Sequence, residues 1–307
     1  IVAIASFPDF NQNNIEYYLN STNNELYNRA TAAYSPGSIF KIIDAAVFLN
    51  NPDLIEEDGS EYYYCDGYIR AGGNIFKCAS YDRGGHGELS LTEAFAHSCN
   101  SYFINMAIRS GYTELIHMAE LFGLGNYTGI NEQGIVEEKG NLPDPKAYYS
   151  SGDIANMSIG QGVVMATPLQ VADIVATIAN GGIKNKINIV DSIVDRDGNE
   201  IKKIKVHKGQ RIISKENSQK IKGMMEAVTL YGTGKAAALK DFGGAAGKTG
   251  SAETGKKDVV HAWFAGYFPI NNPKYSIAVL VENGQYGGEV AAPIFAEIAS
   301  EIMLRFD

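Results

Sequence analysis

Apolar residues fall in runs along this chain, and their spacing predicts its elements. After Pro36-Gly37 the residues Ile39, Phe40, Ile42, Ile43, Ala45, Ala46, Val47, Phe48 and Leu49 are apolar on most faces. That pattern predicts a buried helix over 37–49, opened by Pro and stopped by Asn50-Asn51-Pro52. Further helices are predicted over 91–97, 101–109 and 113–122, with Gly111 and Gly123 closing two of them. Thr167-Pro168 predicts the start of a helix running to Asn180, and Ser214 caps one over 215–230. An apolar helix over 292–306 ends the sequence. Strands are predicted over 1–7, 243–252, 260–268 and 275–282, and a hairpin over 187–201 turning at Asp197-Gly198. Residues 11–33, 52–89 and 123–160 show little periodicity.

Late strands joined by short turns imply an antiparallel sheet whose faces the helices must cover. The expected class is α+β, as one domain over 1–307. Its sheet is expected from both chain ends, about 1–10 and 185–307, with a mostly helical subdomain over about 35–180.

Composition narrows the function. The 307 residues are 45% apolar and 20% charged, enough for a sizeable core. A net charge of −9 with no basic patch argues against a nucleic-acid partner. No run of 18 apolar residues occurs. The opening Ile1-Val2-Ala3-Ile4-Ala5 reads as a core strand, so the numbering is expected to begin inside a longer protein, beyond any targeting segment.

Candidate chemistry centres on Ser38 and Lys41, three apart at the start of the first long helix. Neighbours at that spacing lie on one helical face, so the Lys41 amine can reach the serine hydroxyl. A serine needs a base to become a nucleophile, and a lysine buried near another cation has the lowered pKa that a base requires. Alone, the pair equally describes a helix-starting serine and a lysine reaching for solvent. Two other stretches are chemically suited companions. Ser98-Cys99-Asn100 breaks a predicted helix pair and exposes a hydroxyl and an amide. In Gly247-Lys248-Thr249-Gly250-Ser251, the glycines let another backbone or a ligand approach, and lysine with hydroxyls suits a carboxylate.

Taken together, these motifs resemble the Ser-x-x-Lys, Ser-x-Asn and Lys-Thr-Gly set of penicillin-binding proteins and related β-lactamases. The wording around them resembles class B penicillin-binding proteins, of the elongation and spore-wall type. Besides Tyr34 to Lys41 and Ser98 to Phe103, the matching stretches are Met157 to Gly162, Ala166 to Gln170 and Tyr231 to Gly234. Ser251 stands where many members carry threonine.

The resemblance covers almost the whole chain and implies a transpeptidase domain of the penicillin-binding and β-lactamase-like fold. It implies a peptidoglycan D,D-transpeptidase of cell-wall biogenesis, with elongation, division and spore-wall roles all open. Ser38 would be the nucleophile and Lys41 its base. Ser98 would relay a proton, with Asn100 orienting Lys41 and the substrate amide. Lys248, Thr249, Gly250 and Ser251 would hold the substrate carboxylate, and the backbone N–H groups of Ser38 and Ser251 would form an oxyanion hole. Stem peptides are the implied substrate and β-lactams the implied inhibitors, stalled as slowly released esters on Ser38. A membrane glycosyltransferase partner is implied through other regions, at the extracytoplasmic face of the cell membrane. A serine β-lactamase and a non-catalytic β-lactam sensor or scaffold are the alternatives.

The three cysteines fall in one window with a histidine: Cys65, Cys78, His86 and Cys99. Three thiols and an imidazole suit a structural zinc, with Asp66 and Asp82 in reserve. A Cys65–Cys78 disulfide, or three free thiols, are equally open readings. The resemblance favours zinc, because some members of the elongation and spore-wall branch carry a metal in this region.

Overall fold

Every second residue of the stretch 262–268 belongs to the same core, and the alternation sets the layers. Strand β10 (Val260–Phe268) lies between β9 (Ala246–Glu253) and β11 (Tyr275–Val281), antiparallel to both, with Trp263 opposite Gly250 and Leu280. Ala262, Phe264 and Phe268 pack with Phe295 of α9 (Ala291–Phe306) on one face. Trp263, Ala265 and Tyr267 join the larger core on the other, where α7 (Pro168–Ala179) and α8 (Lys215–Leu230) lie against the sheet. Each such aromatic contributes about 1.5–3 kcal/mol by leaving water. The computed structural model describes residues 1–51, 54, 62–204 and 209–306.

The helical part is built from α2 (Lys41–Asn50), α3 (Leu91–Ala96), α4 (Asn100–Ser110), α5 (Tyr112–Leu121) and α6 (Ser151–Ser158), following a short α1 (Ile15–Leu19). Its accessory strands form two-stranded antiparallel pairs. β1 (Tyr63–Cys65) pairs with β4 (Gly87–Leu89), and β2 (Tyr68–Ala71) with β3 (Asn74–Lys77). Further along, β5 (Ile183–Lys184) pairs with β8 (Gln210–Arg211), and β6 (Ser192–Val194) with β7 (Glu200–Lys203). The predicted stop residue Pro52 lies outside the described residues.

The predicted antiparallel α+β architecture is present, with helices on both faces of the sheet. One contribution to it is not. Residues 1–7 form no strand, so the three-stranded sheet draws its strands from 246–281 alone. A strand needs a paired edge and a covered face; here Val2 is 88% exposed and Phe7 71%. The predicted loops held more order than their periodicity suggested. The helix α6 starts with a reciprocal cap between Ser150 and Asp153, a legible sequence signal.

Candidate active site

The predicted helix over 37–49 divides in two. Residues Gly37–Phe40 form a 3-10 turn, and the α-helix begins at Lys41. In a 3-10 turn, side chains three apart eclipse each other, which stacks Ser38 and Lys41 on one side. The turn is wedged between two backbones. Gly37 donates its N–H to the Gly160 carbonyl at 3.0 Å. At φ +54°, a Cβ on Gly37 would lie 2.6 Å from the Ser251 carbonyl oxygen. Strand β9 answers in kind, since a Cβ on Gly250 would lie 2.9 Å from the Pro36 carbonyl oxygen. Both glycines are therefore required by close approach of backbone to backbone, and Ser38 sits beside Ser251 as a result.

Lys41 and Lys248 are both fully buried, and both amines point at Ser98. Lys41 Nζ donates to the Ser98 carbonyl at 2.8 Å, to Ser98 Oγ at 3.2 Å and to Asn100 Oδ1 at 2.7 Å. Lys248 Nζ donates to Ser98 Oγ at 3.0 Å and to the Thr249 carbonyl at 3.0 Å. Each ammonium also lies 5.5 Å from a phenyl ring centroid, Lys41 from Phe103 and Lys248 from Phe95. Ser98 reaches both amines from a left-handed backbone, φ +55°, a conformation that costs a non-glycine residue about 1–3 kcal/mol. Asn100 is fixed from its other end, where Nδ2 donates to the Lys77 carbonyl at 2.9 Å.

Burial dominates the electrostatics. It pushes the Lys41 amine down to about 8, against the opposing pull of Cys99, Cys78 and Asp44. Lys248 is driven well below its usual range by burial and then by the Lys41 charge. Among the described hydrogen bonds, the three from Lys41 go to Ser98 and Asn100, and the Ser38 hydroxyl takes part in none. The resting Lys41 is thus arranged as an ammonium with its three protons committed. Asp44, one turn further on, is also fully buried, with neither oxygen partnered among the described residues; burial raises its carboxyl well above the usual range.

The rest of the site lies along β9. Thr249 Oγ1 lies 2.6 Å from Thr233 Oγ1, and Ser251 Oγ accepts the Gly287 N–H at 3.3 Å. Behind the 3-10 turn, Tyr34 donates its hydroxyl to Glu282 Oε1 at 2.8 Å, and Arg29 Nε donates to Glu282 Oε2 at 2.8 Å. Motif spacing carried no signal for Glu282 or Asp44. The Tyr231 to Gly234 stretch was legible as part of the family resemblance but not as a hydroxyl placed against Thr249.

The cysteine window forms one cluster beside Asn100. Cys65, Cys78, His86 and Cys99 bring four ligand atoms within 4.8 Å of one another. Cys65 Sγ lies 3.6 Å from Cys78 Sγ and 3.5 Å from His86 Nδ1, and Cys78 Sγ lies 3.7 Å from Cys99 Sγ. The three thiols are free, at separations well beyond a disulfide's length of about 2.05 Å. A tetrahedron with metal–sulfur bonds of about 2.3 Å has edges of about 3.8 Å, so the donor set fits zinc. Each sulfur also accepts a backbone N–H: Cys65 from Gly67, Cys78 from Ser101 and Cys99 from Tyr102, at 3.3, 3.3 and 3.5 Å. Hydrogen bonds, that from Cys99 foremost, hold the Cys78 thiol below its usual range, while the bond to Cys78 and then burial push Cys99 up. Asp66 and Asp82 do not join the cluster among the described residues.

Comparison with known proteins gives the family and the fold. The family described as penicillin binding protein transpeptidase domain matches residues 1–300. Stage V sporulation protein D of Bacillus subtilis is 31% identical over 97% of the chain and 46% of its own length. The peptidoglycan D,D-transpeptidase PbpA of Mycobacterium tuberculosis is 34% identical over 88% of the chain and 55% of its own length. The chain thus spans about half the length of these relatives. Among solved structures, the ceftriaxone acyl-enzyme complex of penicillin-binding protein A from M. tuberculosis superposes with a TM-score of 0.84. It is 30% identical, and the match covers 97% of this chain and 70% of that one. The D,D-transpeptidase domain of a peptidoglycan glycosyltransferase from Eggerthella lenta gives a TM-score of 0.86 at 25% identity. That match covers 98% of this chain and 74% of the other.

Proposed function

The chain belongs to the penicillin-binding protein transpeptidase family, and from that membership we propose that it cross-links peptidoglycan stem peptides through an acyl-enzyme on Ser38. The observation that carries this reading is the convergence of two buried ammonium groups on the single Ser98 hydroxyl, with Asn100 holding Lys41 from the side. Burial depresses both amines, and the Lys41 charge lowers Lys248 further, so that Lys41 can shed a proton near neutral pH and serve as a base.

The Ser38 hydroxyl oxygen attacks the carbonyl of the penultimate D-alanine as neutral Lys41 takes its proton. Backbone N–H groups of Ser38 and Ser251 receive the oxyanion, each worth about 3 kcal/mol in the transition state. The side-by-side approach of Gly37 and Ser251 supports that pairing. The C–N bond then breaks, and a proton passes from Lys41 through Ser98 to the departing D-alanine amine. Lys248, Thr249, Gly250 and Ser251 hold the terminal carboxylate. An amine of a second stem peptide attacks the ester, forms the cross-link and returns the proton to Ser38. β-Lactams follow the first half of this route and remain as the ester.

Cys65, Cys78, His86 and Cys99 would hold a zinc ion, whose contribution would be structural: it would neutralise the thiolates and tie β1 and β4 to the start of α4. The whole protein acts at the extracytoplasmic face of the cell membrane, beside a glycosyltransferase partner. Similarity to relatives named as a sporulation protein and a peptidoglycan D,D-transpeptidase supports that setting.

Intact mass with benzylpenicillin tests the proposal. One penicilloyl increment should appear, map to the peptide holding Ser38 and vanish in Ser38→Ala. No increment on the parent protein would leave a non-catalytic scaffold, and steady turnover of nitrocefin would make it a β-lactamase.

A further inference from the structure

Two hydroxyls are proposed to meet the substrate carboxylate, Thr249 and Ser251, and each has a polar group behind it. Ser251 Oγ accepts the Gly287 N–H at 3.3 Å. An amide N–H can only donate, so Ser251 keeps its own proton for an outside acceptor. Thr249 Oγ1 instead meets Thr233 Oγ1 at 2.6 Å, where either oxygen can donate. The direction matters. A carboxylate only accepts, so a Thr249 that spends its proton on Thr233 would present lone pairs to a negative charge.

The surroundings of Thr233 decide between the two directions. Its hydroxyl has one other described acceptor, the Ala96 carbonyl, at a long 3.4 Å. That carbonyl already accepts the Thr233 N–H at 3.0 Å. The stronger use of the Thr233 proton is therefore the 2.6 Å contact. The loop is held for this task. Gly232 and Gly234 donate their N–H groups to the Ala227 and Val228 carbonyls of α8 at 3.0 and 2.9 Å. Ala96 closes α3, two residues before Ser98. Thr233 is itself exposed, whereas Thr249 is only 6% exposed.

We propose that Thr233 is a positioning residue for carboxylate recognition: its hydroxyl donates into Thr249 Oγ1, which turns the Thr249 proton outward to the acyl donor's carboxylate. The inference rests on the assignment of Thr249 and Ser251 to that carboxylate. It acts through Thr249 and predicts selectivity for donors with a free acid.

The test compares acylation by benzylpenicillin and by its methyl ester, followed by intact mass and resolved into binding and acylation steps. Thr233→Val should lose about tenfold with the free acid, carried by weaker binding, and less than about twofold with the ester; tenfold corresponds to about 1.4 kcal/mol. Thr233→Ser should restore the parent behaviour. Equal losses with acid and ester, or no loss with either, would overturn the inference, the first by making Thr233 a mere prop for β9. Thr249→Val separates the premise from the inference. If it distinguishes acid from ester while Thr233→Val does not, the Thr233 relay alone falls. If Thr249→Val does not distinguish them, the carboxylate assignment falls and takes the relay with it.

Discussion

The serine site and the thiol cluster touch at residues 98–100 and share one core, yet differ in how far that core encloses them. The serine site is framed by the core: β9 and β10 on one side, and α2, α3 and α4 on the other, with Phe40, Phe95, Phe103 and Trp263 all fully buried around it. Its two lysines are carried into that core, where burial sets their chemistry. The cluster sits among two-stranded ribbons whose side chains are largely exposed, Tyr64 at 65% and Ile75 at 49%. Their inner ends join the core through Cys65, Cys78, Leu89 and Ala71, while the outer side chains face water, and an isolated hairpin is marginal there. The proposed zinc on three sulfurs and an imidazole would add a fastening to that one-sided anchoring. The contrast teaches that burial on all sides can place reactive groups and tune them at once, whereas ribbons buried on one side only leave room for the proposed metal to hold them.

The contrast is most sharply tested at the reactive centre. Lys41→Met keeps the volume but removes the base, and acylation by benzylpenicillin should fall by about 10²–10⁴ while the melting temperature moves little. A loss below tenfold would remove Lys41 from its role. A smaller effect is expected from pH. The Lys41 amine titrates near 8, lowered by burial, and only its neutral form accepts the Ser38 proton. Below that value the acylation rate should therefore rise about tenfold per pH unit, levelling above it. A flat profile between pH 6 and 9 would contradict a base tuned by burial.

The smallest change in chemistry, and a distinct change in stability, should follow from the cluster. Purified protein should carry one zinc by elemental analysis. Cys78→Ser should lose it and lower the melting temperature by about 3–8 °C, the scale of a tightly bound ion lost from a domain of this size. Acylation should weaken only several-fold, through Asn100 and its bond to the Lys77 carbonyl. Absence of metal in the parent protein would leave the ribbons held by apolar packing alone.

Much of the serine site was legible because its residues are close in sequence within each motif. Ser38 and Lys41 share one turn, Ser98 and Asn100 flank one helix start, and Lys248 to Ser251 share one strand. The sulfurs were legible as a set through their number and window. The Thr233 and Glu282 contacts were not, since each joins side chains whose partners lie on other elements. Nor was the state of residues 1–7, whose apolar run reads as a core strand yet finds no strand partner to pair with.

The linear order of residues by itself determined the helices with strong apolar faces, the antiparallel late strands, and which side chains could supply a nucleophile, a base and thiol ligands. Those properties are local, set by periodicity, caps and residue chemistry. Tertiary structure alone decided that Lys41 and Lys248 meet at one hydroxyl, that Ser98 accepts a strained backbone to receive them, and that four ligand atoms close to within 4.8 Å. Distances across the fold depend on how buried faces pack, and packing brings together positions that no short-range pattern relates.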